Sequence, residues 1–99
     1  MNELFVLLSI MLLGNPAESL KLTGEILIDR NTLSWDFVSW SPLVSIQKSV
    51  DYGEYFTIYD SAENLYDDLD IEDHHTYKYR IQFNCPNFTM YSNEITLTR

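Results

Sequence analysis

Two adjacent histidines and a run of acidic residues form the densest group of chemically active side chains in the sequence. His74 and His75 directly follow an acidic stretch over residues 67–73. Imidazoles together with carboxylates are able to bind divalent metals. Adjacent residues on an extended backbone point to opposite faces, however, so the two imidazoles would not converge on one ion. We therefore expect a solvated polar corner here, and no metal site.

The same acidic stretch contains the carboxylate pattern Asp68-Leu69-Asp70, and Asp-x-Asp also occurs within calcium-binding loops. The twelve-residue loop with its central glycine and terminal glutamate is missing, so calcium binding is not expected. Asp68 is better suited to hydrogen bonding with nearby backbone in a turn.

The sequence contains no pattern typical of a catalytic centre or of a cofactor site. Neither a Gly-x-Ser-x-Gly elbow nor a glycine-rich phosphate loop occurs in it. Paired carboxylates need a deep cleft to raise a carboxyl pKa, and a domain of 99 residues offers little depth. The single cysteine, Cys85, has no activating neighbour in sequence. We predict no catalytic residue, no metal and no cofactor.

Length and charge restrict the class of protein further. A chain of 99 residues is long enough for one domain, and its 14% aromatic content can fill a core. The formal net charge of −9 repels phosphate backbones and anionic membrane surfaces. We therefore do not expect the protein to bind nucleic acid.

The first 15 residues form an apolar N-terminal segment that we treat separately from the rest. Residues 4–13 are apolar apart from Ser9, but a bilayer-spanning helix needs about 20 such residues. The run has the length of the hydrophobic region of an export signal, yet Glu3 precedes it and no Lys or Arg does. Three interpretations stay open: an export signal, a retained anchoring or packing segment, or a truncated or misassigned start. Any membrane contact would be made through this segment alone.

The remaining residues, 16–99, show the alternation of β-strands and no long helical period. In residues 76–83 the apolar residues Tyr77, Tyr79, Ile81 and Phe83 alternate with polar ones, which places one set on each face of a strand. Further predicted strands cover residues 20–28, 32–37, 44–49, 55–59, 65–66 and 92–98, with a turn around Gly53. Several short strands at regular spacing predict an antiparallel β-sandwich.

Four motifs in order resemble the fibronectin type III domain family. Thr32-Leu33-Ser34-Trp35 is similar to the second strand of that family, and residues 44–57 are similar to its third strand, glycine turn and following strand. Ile71 precedes Tyr77 by six positions, which is the gap before the tyrosine of the family's E–F corner. Ser92-Asn93-Glu94-Ile95 resembles the start of the last strand.

This resemblance implies an immunoglobulin-like, fibronectin type III antiparallel β-sandwich with Trp35, Ile71, Tyr77 and Tyr79 in its structural core. The indole would fill the centre between the sheets, and the hydroxyl of Tyr77 would bond to backbone at the corner. In one respect the sequence departs from the family: residues 72–75, Glu-Asp-His-His, replace the Pro-Gly that often forms the corner.

Aromatic residues in or beside the predicted loops are the candidates for an interface. They are Trp40, Tyr52, Tyr55 and Tyr91. Loop aromatics often anchor protein interfaces or stack on sugar rings. The alternative is that Trp40 packs at one end of the sandwich and the tyrosines line a sheet face. Asn87-Phe88-Thr89 fits the acceptor sequence for N-glycosylation.

From the resemblance we expect a non-catalytic binding or spacer module, of the kind found in secreted and cell-adhesion proteins. It would contact a protein or carbohydrate partner outside the cytoplasm. The alternative is a structural component of a larger assembly, such as a virion or phage decoration or tail-associated protein, in which the apolar N-terminus docks into a neighbour. A fold of this kind does not by itself determine function.

Overall fold

Alternating apolar and polar residues build eight β-strands and no helix in the part of the chain that the structure describes. The structure is a computed structural model that describes residues 21–36, 43–61 and 63–99. The strands are β1 (Leu22–Ile26), β2 (Asn31–Trp35), β3 (Val44–Val50), β4 (Phe56–Ser61), β5 (Leu65–Asp68), β6 (Thr76–Asn84), β7 (Thr89–Tyr91) and β8 (Ile95–Thr98). Within these ranges no helix is present that could cross a membrane.

The strands form two antiparallel sheets that pack face to face. The smaller sheet has the order β1-β2-β5, and the larger has the order β4-β3-β6-β7, with β8 also paired to β6. Every pairing is antiparallel. The prediction of an all-β antiparallel sandwich is therefore confirmed.

Side chains from both sheets fill the space between them. β6 directs Tyr77, Tyr79, Ile81 and Phe83 inward, and each of them is at most 3% exposed. The facing side chains of the smaller sheet include Trp35, which is 5% exposed. Burying one large apolar side chain contributes about 1.5–3 kcal/mol, so β6 and Trp35 together supply much of the core stability.

The two sheets come closest where β1 faces β8. A β-carbon on Gly24 would lie 2.5 Å from Cδ1 of Ile95, so a larger residue at this position would require the Ile95 side chain to move. Next to it, the amide of Asn93 bonds to both backbone groups of Leu22: its Oδ1 accepts from the nitrogen at 2.7 Å, and its Nδ2 donates to the oxygen at 3.0 Å. These contacts join the sheets along one side of the sandwich.

Two strand boundaries differ from the sequence pattern. β1 ends at Ile26, and Ile28, which the pattern assigned to the first strand, is 97% exposed. The predicted last strand starts late, because Ser92 separates a short β7 from β8. The Ser92 hydroxyl accepts a hydrogen bond from the backbone nitrogen of Ile81 at 2.9 Å, which replaces a ladder bond at the break.

A buried ion pair lies in the interior between the sheets. Lys48 of β3 and Asp68 of β5 have side chains that are each 3% exposed, and Nζ lies 2.8 Å from Oδ2. The hydroxyl of Tyr79 donates to the same Oδ2 at 2.6 Å and accepts from Nδ2 of Asn31 at 2.9 Å. Burial, together with the hydrogen bond to Asp68, raises the pKa of Tyr79. We call Asn31, Lys48, Asp68 and Tyr79 the buried ion-pair network.

Further contacts inside the protein support both charged groups of this network. The Lys48 ammonium also donates to the backbone oxygen of Asp70 at 2.5 Å and lies 5.0 Å from the centroid of the Tyr77 ring. The second oxygen of Asp68, Oδ1, accepts from the backbone nitrogen of Asp70 at 3.1 Å. A buried charge without such partners would be costly, so the network has to form as a unit.

The corner before β6 is held by Tyr77. Its ring is buried, and its hydroxyl accepts from the backbone nitrogen of Glu72 at 2.7 Å and lies 3.2 Å from the Glu72 oxygen. His74 adopts the left-handed conformation with φ of 71°, a region that favours glycine. The backbone of His74 thus makes the turn before β6 at some cost in strain.

Candidate binding surface

The outer surface of the larger sheet gathers three of the predicted interface aromatics around two cations. β6 alternates its side chains, so Lys78 and Arg80 point outward while their neighbours Tyr77 and Tyr79 point inward. The connection between β3 and β4 and the end of β7 bring tyrosines beside these cations. We call the following set the tyrosine–arginine face: Tyr52, Tyr55, Lys78, Arg80, Tyr91 and Glu94.

Arg80 is the centre of this face. Its guanidinium carbon lies 4.1 Å from the centroid of the Tyr55 ring and 4.3 Å from that of Tyr91. Its Nε donates a hydrogen bond to Oε1 of Gln47 at 2.7 Å. Each cation–π contact is worth about 0.5–1 kcal/mol at an exposed site. The side chain is therefore held in one orientation by two rings and one amide.

A row of side-chain hydrogen bonds fixes Gln47 in turn. Nε2 of Gln47 donates to Oε1 of Gln82 at 2.8 Å, and Nε2 of Gln82 donates to Oδ1 of Asn84 at 2.7 Å. Asn84 Nδ2 then donates to the Ser45 hydroxyl at 3.2 Å. These residues occupy neighbouring outward positions on β3 and β6. The row orients the Gln47 oxygen toward Arg80.

Glu94 connects the cationic and aromatic members of the face. The Tyr55 hydroxyl donates to Oε2 of Glu94 at 2.9 Å, and the Lys78 ammonium lies 3.5 Å from Oε1. The bond from Tyr55 holds the pKa of Glu94 below its usual value, with Lys78 adding to the effect. Burial, with the same hydrogen bond, raises the pKa of Tyr55 to about 12, so this tyrosine stays a hydrogen-bond donor at neutral pH.

Tyr52 is the most exposed member of the face and has an unusual backbone. Its side chain is 72% exposed, and Lys78 Nζ lies 5.8 Å from its ring centroid. Asp51 and Tyr52 have φ values of 51° and 65°, and Gly53 N donates to Val50 O at 3.0 Å to close the turn. Two left-handed residues in the middle of a hairpin turn are typical of type I′. The left-handed positions are thus Asp51 and Tyr52, whereas the sequence suggested a turn organised by Gly53.

The Asp51 carboxylate ties this turn to the start of β6. Oδ1 accepts from the backbone nitrogen of Thr76 at 2.9 Å, and Oδ2 lies 2.6 Å from Nδ1 of His75. The bond from Thr76 and then that from His75 lower the pKa of Asp51. The bond and charge of Asp51 raise the pKa of His75. Asp51 thereby positions Tyr52, the next residue, beside the face.

The other residues selected from the sequence are distributed between core and surface. Trp35, Tyr77 and Tyr79 are buried, and Ile71 is partly buried against the same core. Asn87 is exposed in the turn between β6 and β7. Trp40 and the N-terminal segment over residues 1–15 lie outside the described residues.

The histidines of the acidic corner do not converge. His75 bonds to Asp51, whereas the His74 backbone nitrogen donates to the oxygen of Arg99 at 3.0 Å. Among residues 21–36, 43–61 and 63–99, no three or more His, Cys, Asp and Glu side chains are grouped as a metal site.

Sequence reasoning missed two features of the face and one of the core. It did not include Lys78 and Arg80 among the interface candidates, although the alternation along β6 showed that their side chains point outward. It also did not select Lys48, which shares the inward phase of Val44 and Ile46. A charged residue at an inward position is a signal for a buried partner, and Asp68 is that partner.

No family model matches the chain, and no curated protein is significantly similar to it.

Proposed function

We propose that this protein is a fibronectin type III-like, non-catalytic module that acts outside the cytoplasm and binds a macromolecular partner through the tyrosine–arginine face. The observation that carries the proposal is the convergence of Tyr52, Tyr55 and Tyr91 on Lys78 and Arg80. Tyrosine and arginine are enriched among the residues that dominate binding energy at interfaces.

The strand arrangement supports the choice of family. The first, second and fifth strands share one sheet, while the third, sixth and last share the other, as in immunoglobulin-like sandwiches. The Tyr77 hydroxyl bonds to the backbone five residues upstream, as a tyrosine corner does. The buried Trp35 lies between the sheets, as the resemblance requires.

Between the two partner classes, protein and carbohydrate, the geometry favours protein. Arg80 covers one face of the rings of Tyr55 and Tyr91, so these rings are less open to stacking on a sugar. A rigid cluster of tyrosines with an arginine is typical of a protein-binding hot spot.

The outer surface of the smaller sheet supports a non-catalytic role. A shallow depression there is lined by the residues Thr23, Gly24, Glu25, Thr32, Leu33, Ser34 and Leu65. Glu25 is the one ionisable group among these lining residues. An acid–base pair, which most hydrolytic chemistry needs, is not present in that lining.

The test is selection of peptides from a random display library against the folded protein, because library peptides tend to bind at hot spots. We expect selected peptides to weaken about tenfold or more on Tyr55→Ala/Tyr91→Ala. A matched variant on the opposite sheet, Glu25→Ala/Thr32→Ala, should leave their affinity unchanged. A parallel screen against immobilised glycans tests the carbohydrate alternative.

The proposal fails if the selected ligands respond to the smaller-sheet variant and not to the face variant. Circular dichroism melts of both variants must first show that each is folded. Glycan binding that depends on Tyr52 would replace the protein partner by a carbohydrate.

A further inference from the structure

We infer that Arg80 is a receptor for a single carboxylate presented by the partner, an Asp or Glu side chain or a chain terminus. This inference rests on the proposed function and names the chemistry that the tyrosine–arginine face recognises.

The first support is that Arg80 is rigidly held before any ligand binds. Tyr55 and Tyr91 lie at 4.1 and 4.3 Å on its guanidinium, and its Nε is bonded to Gln47. A side chain that is already ordered loses less conformational entropy on binding.

The second support is that the terminal nitrogens of Arg80 have no acceptor among the described residues. The other two arginines differ in this respect. Arg30 donates from Nη1 to Asp67 at 2.9 Å and from Nη2 to Asp29 at 3.1 Å. Arg99 donates from Nη1 and Nη2 to the backbone oxygens of Leu27 and Ile28, both at 2.8 Å. The terminal nitrogens of Arg30 and Arg99 therefore donate to acceptors within the protein, whereas those of Arg80 have none among the described residues.

The nearest internal carboxylate does not occupy this position. Glu94 lies close enough for the charge of Arg80 to lower its pKa, but its oxygens are engaged by Tyr55 and Lys78. The two terminal nitrogens of Arg80 thus present two parallel N–H donors, and no carboxylate of the described residues accepts from them. Bidentate carboxylate binding matches that geometry.

Charge favours a carboxylate over a phosphate group. The chain has a formal net charge of −9, and Glu94 adds a negative charge beside Arg80. A dianionic phosphate is repelled more strongly by these charges than a monoanion is. One carboxylate on an otherwise neutral or basic partner segment therefore fits the site best.

The direct test is an NMR titration that follows the Arg80 Nε–H signal of ¹⁵N-labelled protein. Sodium acetate should shift this signal saturably, whereas sodium chloride at the same ionic strength should not. Tyr91→Ala, which removes one of the two rings that hold Arg80, should weaken the response, and the matched variant Arg30→Lys should retain it. A shift no larger than that with chloride would overturn the inference, and tighter binding of phosphate would overturn the choice of carboxylate.

The second test uses the peptides selected against the face. Replacing each Asp or Glu of a selected peptide by Asn or Gln should weaken binding about tenfold at one position, and that loss should vanish in Arg80→Gln. Peptides that need the face but no carboxylate would refute the inference and leave the proposed function intact. If no peptide depends on the face, the proposed function fails. The acetate titration then decides by itself whether Arg80 binds a carboxylate.

Discussion

The interior and the outer face of the larger sheet each place a cation against tyrosine rings, but they leave these cations in opposite states. Inside, Lys48 lies near the Tyr77 ring and donates to both Asp68 and a backbone oxygen, so its charge is paired within the protein. Outside, Arg80 lies between two rings and donates only its Nε to a described residue.

This difference shows how burial assigns roles to similar residues. Tyr79 and Arg80 are consecutive on β6, and one step along the strand moves from the core to the surface. A buried charge must be paired, because no water is available to solvate it. An exposed donor can remain unpaired at little cost, and it is then available for a partner. The interior network therefore stabilises the sandwich, whereas the face is suited to recognition.

The largest effect is expected from breaking the buried ion pair. Asp68→Ala leaves the ammonium of Lys48 buried without its carboxylate, which should lower the free energy of unfolding by about 3–5 kcal/mol. Urea denaturation measures this loss. The double variant Lys48→Met/Asp68→Leu removes both charges and should be much closer to wild type. If Asp68→Ala unfolds at the wild-type midpoint, the pair is not buried as described.

A smaller effect is expected from one hydroxyl of the network. Tyr79→Phe removes the donor to Asp68 and the acceptor for Asn31, which should cost about 1–3 kcal/mol. Tyr55→Phe removes a partly exposed surface hydroxyl and its bond to Glu94, and should change stability by about 0.5 kcal/mol or less. Chemical denaturation of the two variants side by side tests the contrast. Equal losses would mean that the interior and the face do not differ in the way proposed.

The reverse pattern is expected for Arg80. Arg80→Ala loses two cation–π contacts and one hydrogen bond to Gln47 at the surface, and should lower stability by about 1–2 kcal/mol. The same change should remove most binding of face-directed peptides, which isothermal titration calorimetry can measure. A variant that is strongly destabilised but binds normally would reverse the roles assigned to the two regions.

The smallest effect concerns pH at the turn that carries Tyr52. The bond to Asp51 raises the pKa of His75 above its ordinary 6.5. The stability that protonated His75 gains from Asp51 is therefore fully present below pH 6.5, and it is lost as the pH rises through the raised pKa. The pKa of Asp51 is lowered below 3.8, so its contribution is present above that value and is lost in strong acid. Wild-type melting temperature should therefore fall relative to His75→Gln as the pH passes from mildly acidic to alkaline.

A matched control for this pH dependence is His74→Asn, since Asn tolerates the left-handed backbone of that position. It should keep the pH dependence of the wild type. If the melting temperatures of His75→Gln and of the wild type change with pH in the same way across this range, the link between His75 and Asp51 does not contribute to stability.

Much of the architecture could be predicted from local pattern. The alternation in residues 76–83 predicted both the strand and the inward set, because side-chain direction along a strand depends only on sequence position. The missed strand over Thr89–Tyr91 had too short a pattern to be recognised, and its end at Ser92 depends on a side-chain bond to Ile81. The specific fibronectin type III assignment remains a prediction.

The sequence by itself determined which residues alternate, and hence that strands form and which side chains share a face. It also determined the acidic charge and the supply of tyrosines. Only the tertiary structure decided that Lys48 meets Asp68, that Tyr52 adopts a left-handed backbone, and that Arg80 lies between Tyr55 and Tyr91. The physical reason is that these contacts join strands distant in sequence, and their partners are set by sheet pairing and by packing between layers, which no local pattern encodes.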